Sequence, residues 1–259
     1  MRRGSGRTVV MWTGVMMAAL LLPGHARSDE LAEATRGMVE RYGDSVVTLK
    51  VVAAAGDREH TYEAQGAVLD ASGLIVASNL AVDPFSHYPG ADSEIKSVSL
   101  IREDGTELPL ERLLRDEDLD LLFLRPEAEE GEEVELSHIE AGDEGADLEL
   151  AEQVVVLSRL GPTDDREHAV LIGRVQAIIT RPRKMYVVGM LGGVGTMGVL
   201  GSPVFDTEGR PVGIMVVRHS GRDVRGQIGR GQDAYMAVVL PIAEMSDGIK
   251  QAKGEDPDE

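Results

Sequence analysis

The sequence predicts an all-β fold, either a sandwich or a barrel, and two observations carry this prediction. Short runs rich in valine, isoleucine and leucine recur after residue 44, and each has about the length of one strand. Clusters of glycine, aspartate and proline separate most of these runs, as turns separate consecutive strands. The alternation of strands and helices that a parallel α/β sheet requires is not indicated. The predicted strands are 45–53, 62–70, 73–79, 95–103, 119–126, 152–160, 169–180, 184–190, 202–206, 211–218 and 233–241.

One helix is predicted ahead of the strands, over residues 29–42, where Leu31, Ala34, Met38 and Tyr42 recur at helical spacing. A strongly acidic run then divides the strands into two halves. We interpret this run as a solvated connection or a solvated face, because a dense charge run is costly to bury. The predicted organisation is a leader at 1–26, a helical segment at 27–44, one β domain at 45–245 with halves at about 45–126 and 150–245, and a polar tail at 246–259.

The first 26 residues have the pattern of a secretory signal peptide. The basic stretch MRRGSGR precedes the apolar run TVVMWTGVMMAALLLPG, and GHA, ending at Ala26, fits a small-x-small cleavage site. The alternative is an uncleaved membrane anchor, but the run is short and Thr13 and Pro23 interrupt it. We therefore expect export to the periplasm or the extracellular space, with no stable membrane span after cleavage.

Composition excludes several classes of function. The chain has 259 residues, 42% of them hydrophobic, which is compatible with a buried core. Its formal net charge of -19 argues against nucleic-acid binding, which requires clustered lysine and arginine. It has no cysteine, so disulfides and thiolate zinc sites do not arise. The histidines are scattered without ligand spacing, and we expect neither a metal nor a cofactor.

Three stretches, in this order, resemble the active-site blocks of trypsin-like serine proteases of the HtrA type. They are GAVLDASGLIVASNLAVD at 66–83, DEDLDLLFLRP at 116–126 and GVLGSPVFDTEGRPVGI at 198–214. In that family the three blocks carry the catalytic histidine, aspartate and serine. The resemblance extends over about residues 40–245 and implies two six-stranded antiparallel β-barrels with a cleft between them. Proteases of this type usually carry a PDZ module after the protease domain, and we expect this chain to lack it.

The departures from the family lie where its chemistry occurs. Leu80 stands at the position of the catalytic histidine and Leu200 at that of the nucleophile, while Asp118 matches the aspartate. Acyl transfer needs a hydroxyl activated by an adjacent base, and leucine can neither accept a proton nor attack a carbonyl. Without a histidine to orient, Asp118 is also interpreted as a residue that caps a turn. The resemblance leaves an oxyanion hole built from the backbone N–H groups of Gly198 and Leu200.

Two residues are candidate substitutes for the missing groups. Ser202 is the nearest hydroxyl to the nucleophile position, although a small residue packed beneath the turn is the simpler interpretation. His87 follows the position of the lost base and is otherwise a surface-loop histidine. The glycine-rich stretch 189–198 lacks the Gly-Lys-Ser/Thr ending of a phosphate loop, so we interpret it as the mobile loop before the nucleophile turn.

These observations favour a pseudoprotease that holds a protein or peptide ligand in the cleft or associates with an active homologue. Leucines at both positions predict a cleft that suits an apolar side chain of the ligand. An active endopeptidase with displaced catalytic residues and a purely structural exported β-protein remain as alternatives. The sequence does not indicate an oligomeric state.

Overall fold

The computed structural model describes residues 24–85, 93–127, 134–140, 145–191, 196–219 and 235–255. These residues form two closed six-stranded antiparallel barrels, which confirms the predicted all-β fold and the two-barrel architecture. The first barrel has the strand order β1-β2-β3-β6-β5-β4, with β1 Val46–Ala55, β2 Arg58–Val68, β3 Ile75–Ser78, β4 Ser93–Ile101, β5 Glu107–Asp116 and β6 Leu121–Pro126. The second has the order β10-β11-β12-β9-β8-β7, with β7 Gln153–Arg159, β8 His168–Ile179, β9 Met185–Leu191, β10 Pro203–Asp206, β11 Pro211–His219 and β12 Tyr235–Pro241.

Strand β5 is the one strand of the described residues that the sequence pattern does not indicate. Its sequence, ELPLERLLRD, alternates only in its first half, where Leu108 and Leu110 point into the barrel. The register with β6 then shifts between Arg112 and Leu114. Such a bulge changes which face each following residue occupies, so the period of two is lost.

The described residues also form three α-helices: α1 Gly24–Tyr42, α2 Asn79–Val82 and α3 Ser246–Lys253. Helix α1 contains the predicted 29–42 segment, and Tyr42 at its end stacks on Phe205 with the ring centroids 4.9 Å apart. Helix α3 occupies part of the predicted polar tail and docks on the first barrel, where Lys253 Nζ lies 2.8 Å from Asp70 Oδ2. Within the described ranges, no helix is both long and apolar enough to cross a membrane.

The acidic connection between the barrels is partly buried. Ile139 is 2% exposed, and its N–H donates to the Val68 carbonyl at 2.9 Å. Leu148 is buried in the second barrel, and the Ala146 N–H donates to the Pro211 carbonyl at 2.7 Å. Apolar residues within the acidic run therefore anchor it on both barrels, and only part of the run behaves as the solvated connection that composition predicts.

A shared apolar core lies between the barrels and fixes how they face each other. It combines residues of both barrels with the buried face of α1 and with Met245 just before α3. Burying these side chains removes apolar surface from water, which is the main force holding such elements together. The shared core members from the strands include Ala67, Leu121, Phe123, Phe205, Ile214 and Val238.

Candidate functional site

Leu80 lies on the short helix α2, directly after β3. The Ser78 hydroxyl caps this helix by accepting a hydrogen bond from the Ala81 N–H at 3.3 Å. The side chain of Leu80 points toward the second barrel, and the residue is 7% exposed. An apolar side chain therefore lies at the junction of the barrels.

Leu200 lies on the turn between the 3-10 helix Thr196–Val199 and β10. It is 1% exposed and packs with Leu80 and Val217 in a small apolar cluster, which we call the leucine cluster. Leucines at these positions predict a cleft that suits an apolar side chain of a ligand. In the structure the two side chains bury each other and expose little of their surface.

The carboxylate beside Leu80 belongs to Asp120, which corrects the assignment to Asp118. Asp120 is 1% exposed; its Oδ1 accepts the Leu80 N–H at 2.7 Å and its Oδ2 accepts the Val217 N–H at 2.7 Å. The Ser78 hydroxyl also donates to Oδ2, at 2.6 Å. Asp118 is exposed in the preceding turn, where its N–H donates to Asp116 Oδ1 at 3.0 Å.

The sequence contains a signal that distinguishes the two aspartates. Both Asp118 and Asp120 begin an Asp-Leu-x-x-Leu pattern, so the motif alone does not decide which aspartate is meant. Only Asp120 directly precedes the continuous apolar run Leu121–Leu124, which is strand β6 in the barrel wall. A carboxylate at the start of a buried strand must be satisfied by protein donors, whereas one in the turn can remain solvated.

Gln65 makes several hydrogen bonds at the junction of the barrels, and the sequence pattern does not indicate this role. Its Nε2 donates to the carbonyls of Arg159 and Gly198, at 2.6 and 3.1 Å. Its Oε1 accepts hydrogen bonds from the Ser158 and Ser202 hydroxyls, at 2.9 and 3.2 Å. Gln65 occupies an outward-facing position of β2, next to a glycine, but its partners lie about a hundred residues away in sequence and leave no local pattern.

The turn predicted to form the oxyanion hole is held tightly against β2. Gly201 has a φ of +86°, and a Cβ atom there would lie 2.1 Å from the Gln65 carbonyl oxygen. Only glycine fits this position, because the conformation is left-handed and the backbones touch. The Gly198 carbonyl accepts hydrogen bonds from Gln65 of the first barrel and from Ser158 of β7 in the second, so this part of the turn is anchored to both barrels.

The candidate substitutes for the catalytic groups are not assembled in the described residues. Ser202 is fully buried, and its hydroxyl donates to Gln65. Its backbone is also engaged, since the carbonyl accepts the Met215 N–H at 2.9 Å. These contacts fit the interpretation of a small residue packed beneath the turn. His87 lies outside the described residues.

Two other histidines of the described residues make their contacts elsewhere. The His60 ring is tilted against Phe85 with the ring centroids 5.1 Å apart, and His168 Nε2 lies 3.3 Å from Asp44 Oδ1. Among the described residues, no group of three or more histidine, aspartate or glutamate side chains is arranged to hold a metal ion.

An open groove of about 650 Å³ lies between the outer face of β1 and β2 and the turn at 159–166, and Gly198 of the turn before β10 also lines it. We call it the inter-barrel groove. Arg166 and Glu63 form a bidentate ion pair across it, and this hydrogen bonding raises the pKa of the Arg166 guanidinium. Tyr62 lies at its edge, where burial and the negative charge of Asp83 raise the pKa of the Tyr62 phenol.

Comparison with known proteins agrees with this architecture. The family model of the trypsin-like peptidase domain matches residues 64–214, which is more than half of the chain. The match includes Leu80, Asp120 and Leu200 and ends in β11. Among curated proteins, no sequence matches the chain. The two closed barrels and the family match together show that the chain belongs to the trypsin-like peptidase domain family.

Proposed function

We propose that this chain is an exported pseudoprotease, related to the HtrA type, that lacks hydrolytic activity and holds a protein or peptide segment at the junction of its barrels. The observation that carries the proposal is the leucine cluster, in which Leu80 and Leu200 are both buried against each other. An ancestral catalytic pair has, in this interpretation, become part of the core.

The chemistry of the cluster supports the loss of activity. A nucleophile and a base act only at hydrogen-bond distance from each other, and two leucines supply neither group. Asp120 cannot replace the base by itself, because both of its oxygens already accept hydrogen bonds from the protein. Its role in this chain is structural, since it joins Leu80 of the first barrel to Val217 of the second.

The binding part of the proposal depends on the inter-barrel groove. This space opens next to Gln65 and Gly198, where it stays accessible although the leucine cluster is closed. Grooves between domains are common sites for extended segments, because both walls contribute contacts. The occupant is either a segment of an unrelated protein or a segment of an active homologue with which this chain associates.

Export is proposed from the N-terminal pattern. We expect the exported chain to lack residues 1–26 and to be found in the periplasm or outside the cell. Mass spectrometry of the N-terminal peptide of the purified protein tests this, since the first residue of a processed chain would be Arg27.

The alternative of an active peptidase requires Ser202 and His87 to act together. The burial of Ser202 and its hydrogen bond to Gln65 count against it, because a nucleophile has to reach the substrate. The third possibility, a structural exported β-protein without a ligand, would leave the inter-barrel groove without a function.

A fluorophosphonate probe for activated serines tests the loss of activity. We expect no adduct on the purified protein under conditions that label an active trypsin-like protease, and no change when Ser202 is replaced by alanine. An adduct on Ser202, absent from the Ser202→Ala variant, would show that the chain is an active hydrolase with a rearranged site.

A further inference from the structure

The inter-barrel groove extends well beyond the leucine cluster. A second space of about 720 Å³ adjoins it on the outer face of the first barrel, near Glu103 and Glu135. The two spaces are neighbours, because five residues line both, and we call them together the channel. The shared residues are Thr48, Ile101, Gly105, Arg159 and Arg166.

The channel has an apolar part. Leu160 lies on its wall and is 38% exposed, which places it among the few large apolar side chains of the described residues that face solvent. Pro162 lies two residues further along the same turn, and Ile101 of the first barrel, which is half-buried, also lines the space. An exposed leucine in a groove with other apolar residues can receive an apolar side chain of a bound segment.

More carboxylates than cations line the channel. Three of its cations are each paired with a carboxylate. A fourth, Arg102, lies near Asp104. The pKa of the Asp104 carboxyl is lowered mainly by the hydrogen bonds from Thr106 and to a smaller extent by the charge of Arg102. Glu103, Glu135 and Glu167 line the channel and form no ion pair with a described residue. The three pairs are Lys50–Glu107, Arg159–Asp44 and Arg166–Glu63.

We propose that the segment held in this channel is an extended one rich in lysine and arginine, with an apolar side chain that packs on Leu160. The unpaired carboxylates supply the local attraction. The net charge of -19 attracts a basic segment at long range and repels an acidic one. This inference rests on the proposed function, because it names the chemistry of the partner for the same junction.

The test uses three short fluorescein-labelled peptides, in which valine alternates with lysine, glutamate or serine. We expect fluorescence anisotropy to report binding of the lysine peptide alone, weakened as salt is raised from about 0.05 to about 0.5 M. Replacing Glu135 and Glu167 by lysine should weaken that binding about fivefold or more, since two attractions become repulsions. The matched control places the same charge change on α1, with Glu33→Lys and Glu40→Lys, and should change binding much less.

The possible results separate the preference for a basic segment from peptide binding itself. Equal binding of the three peptides, or equal losses in the groove variant and the α1 control, would overturn the inferred preference for a basic segment and leave peptide binding intact. Failure of all three peptides to bind would overturn both the basic partner and the binding part of the proposed function. The loss of hydrolytic activity is decided separately by the fluorophosphonate experiment.

Discussion

Replacing Asp120 by asparagine tests whether the buried carboxylate stabilises the packing of the two barrels. We call it the clamp, because it accepts hydrogen bonds from Leu80 of the first barrel and Val217 of the second. The residue has a φ of +59°, a conformation that asparagine tolerates well, so the change mainly alters hydrogen bonding. An amide directs its NH₂ group either at the Leu80 N–H or at the donors of Ser78 and Val217. In both orientations, at least one buried donor loses its acceptor.

The expected cost follows from these contacts. A hydrogen bond to a charged group contributes about 1.5–3 kcal/mol, and a buried donor left unsatisfied adds a desolvation penalty. The remaining bonds also weaken when the charge is removed. We therefore expect Asp120→Asn to lower the free energy of unfolding by about 3 kcal/mol, a large part of the total of about 5–15 kcal/mol of a typical domain.

Urea unfolding followed by far-ultraviolet circular dichroism measures this change. The only tryptophan, Trp12, lies in the predicted leader, so tryptophan fluorescence would not report on the processed chain. Asp118→Asn is the matched control, because that side chain is exposed two residues earlier, and it should stay within about 0.5 kcal/mol of the parent. A smaller loss for Asp120→Asn than for Asp118→Asn would refute the assignment of the clamp to Asp120.

Three further experiments have definite expected outcomes. Gly201→Ala should lower the free energy of unfolding by more than about 3 kcal/mol, because its Cβ would lie 2.1 Å from a backbone oxygen. Gly105 has a similar φ of +81° but open space around it, so Gly105→Ala should lower the free energy of unfolding by only about 1 kcal/mol. Thermal denaturation of the two variants measures this difference. Leu200→Ser should destabilise the chain by about 3 kcal/mol and remain unlabelled by the fluorophosphonate probe, since it adds a hydroxyl without a base. A double-mutant cycle on Glu63 and Arg166 should give a coupling of about 1 kcal/mol that falls at high salt, and a salt-independent coupling would contradict the ion pair.

The local pattern of the chain predicts most of the fold. Alternating apolar residues bounded by turns locate eleven of the twelve described strands, because each strand depends on its own neighbours in sequence. It fails at β5, where the bulge after Arg112 removes the alternation. It also leaves α3 within a polar tail, because that helix is held by contacts such as the one between Lys253 and Asp70, which lies in the first barrel.

The sequence alone determines that residues 80 and 200 are leucines, which can act neither as a base nor as a nucleophile, because residue identity does not depend on geometry. The tertiary structure decided what those residues do, which is to bury each other and leave a groove open beside them. It also decided that Asp120 is the clamp, through a hydrogen bond to a residue 97 positions away. The hydrogen bond between Gln65 and Ser202 spans 137 positions. Contacts of such separation arise only when both barrels close and pack together, so no short stretch of sequence contains them.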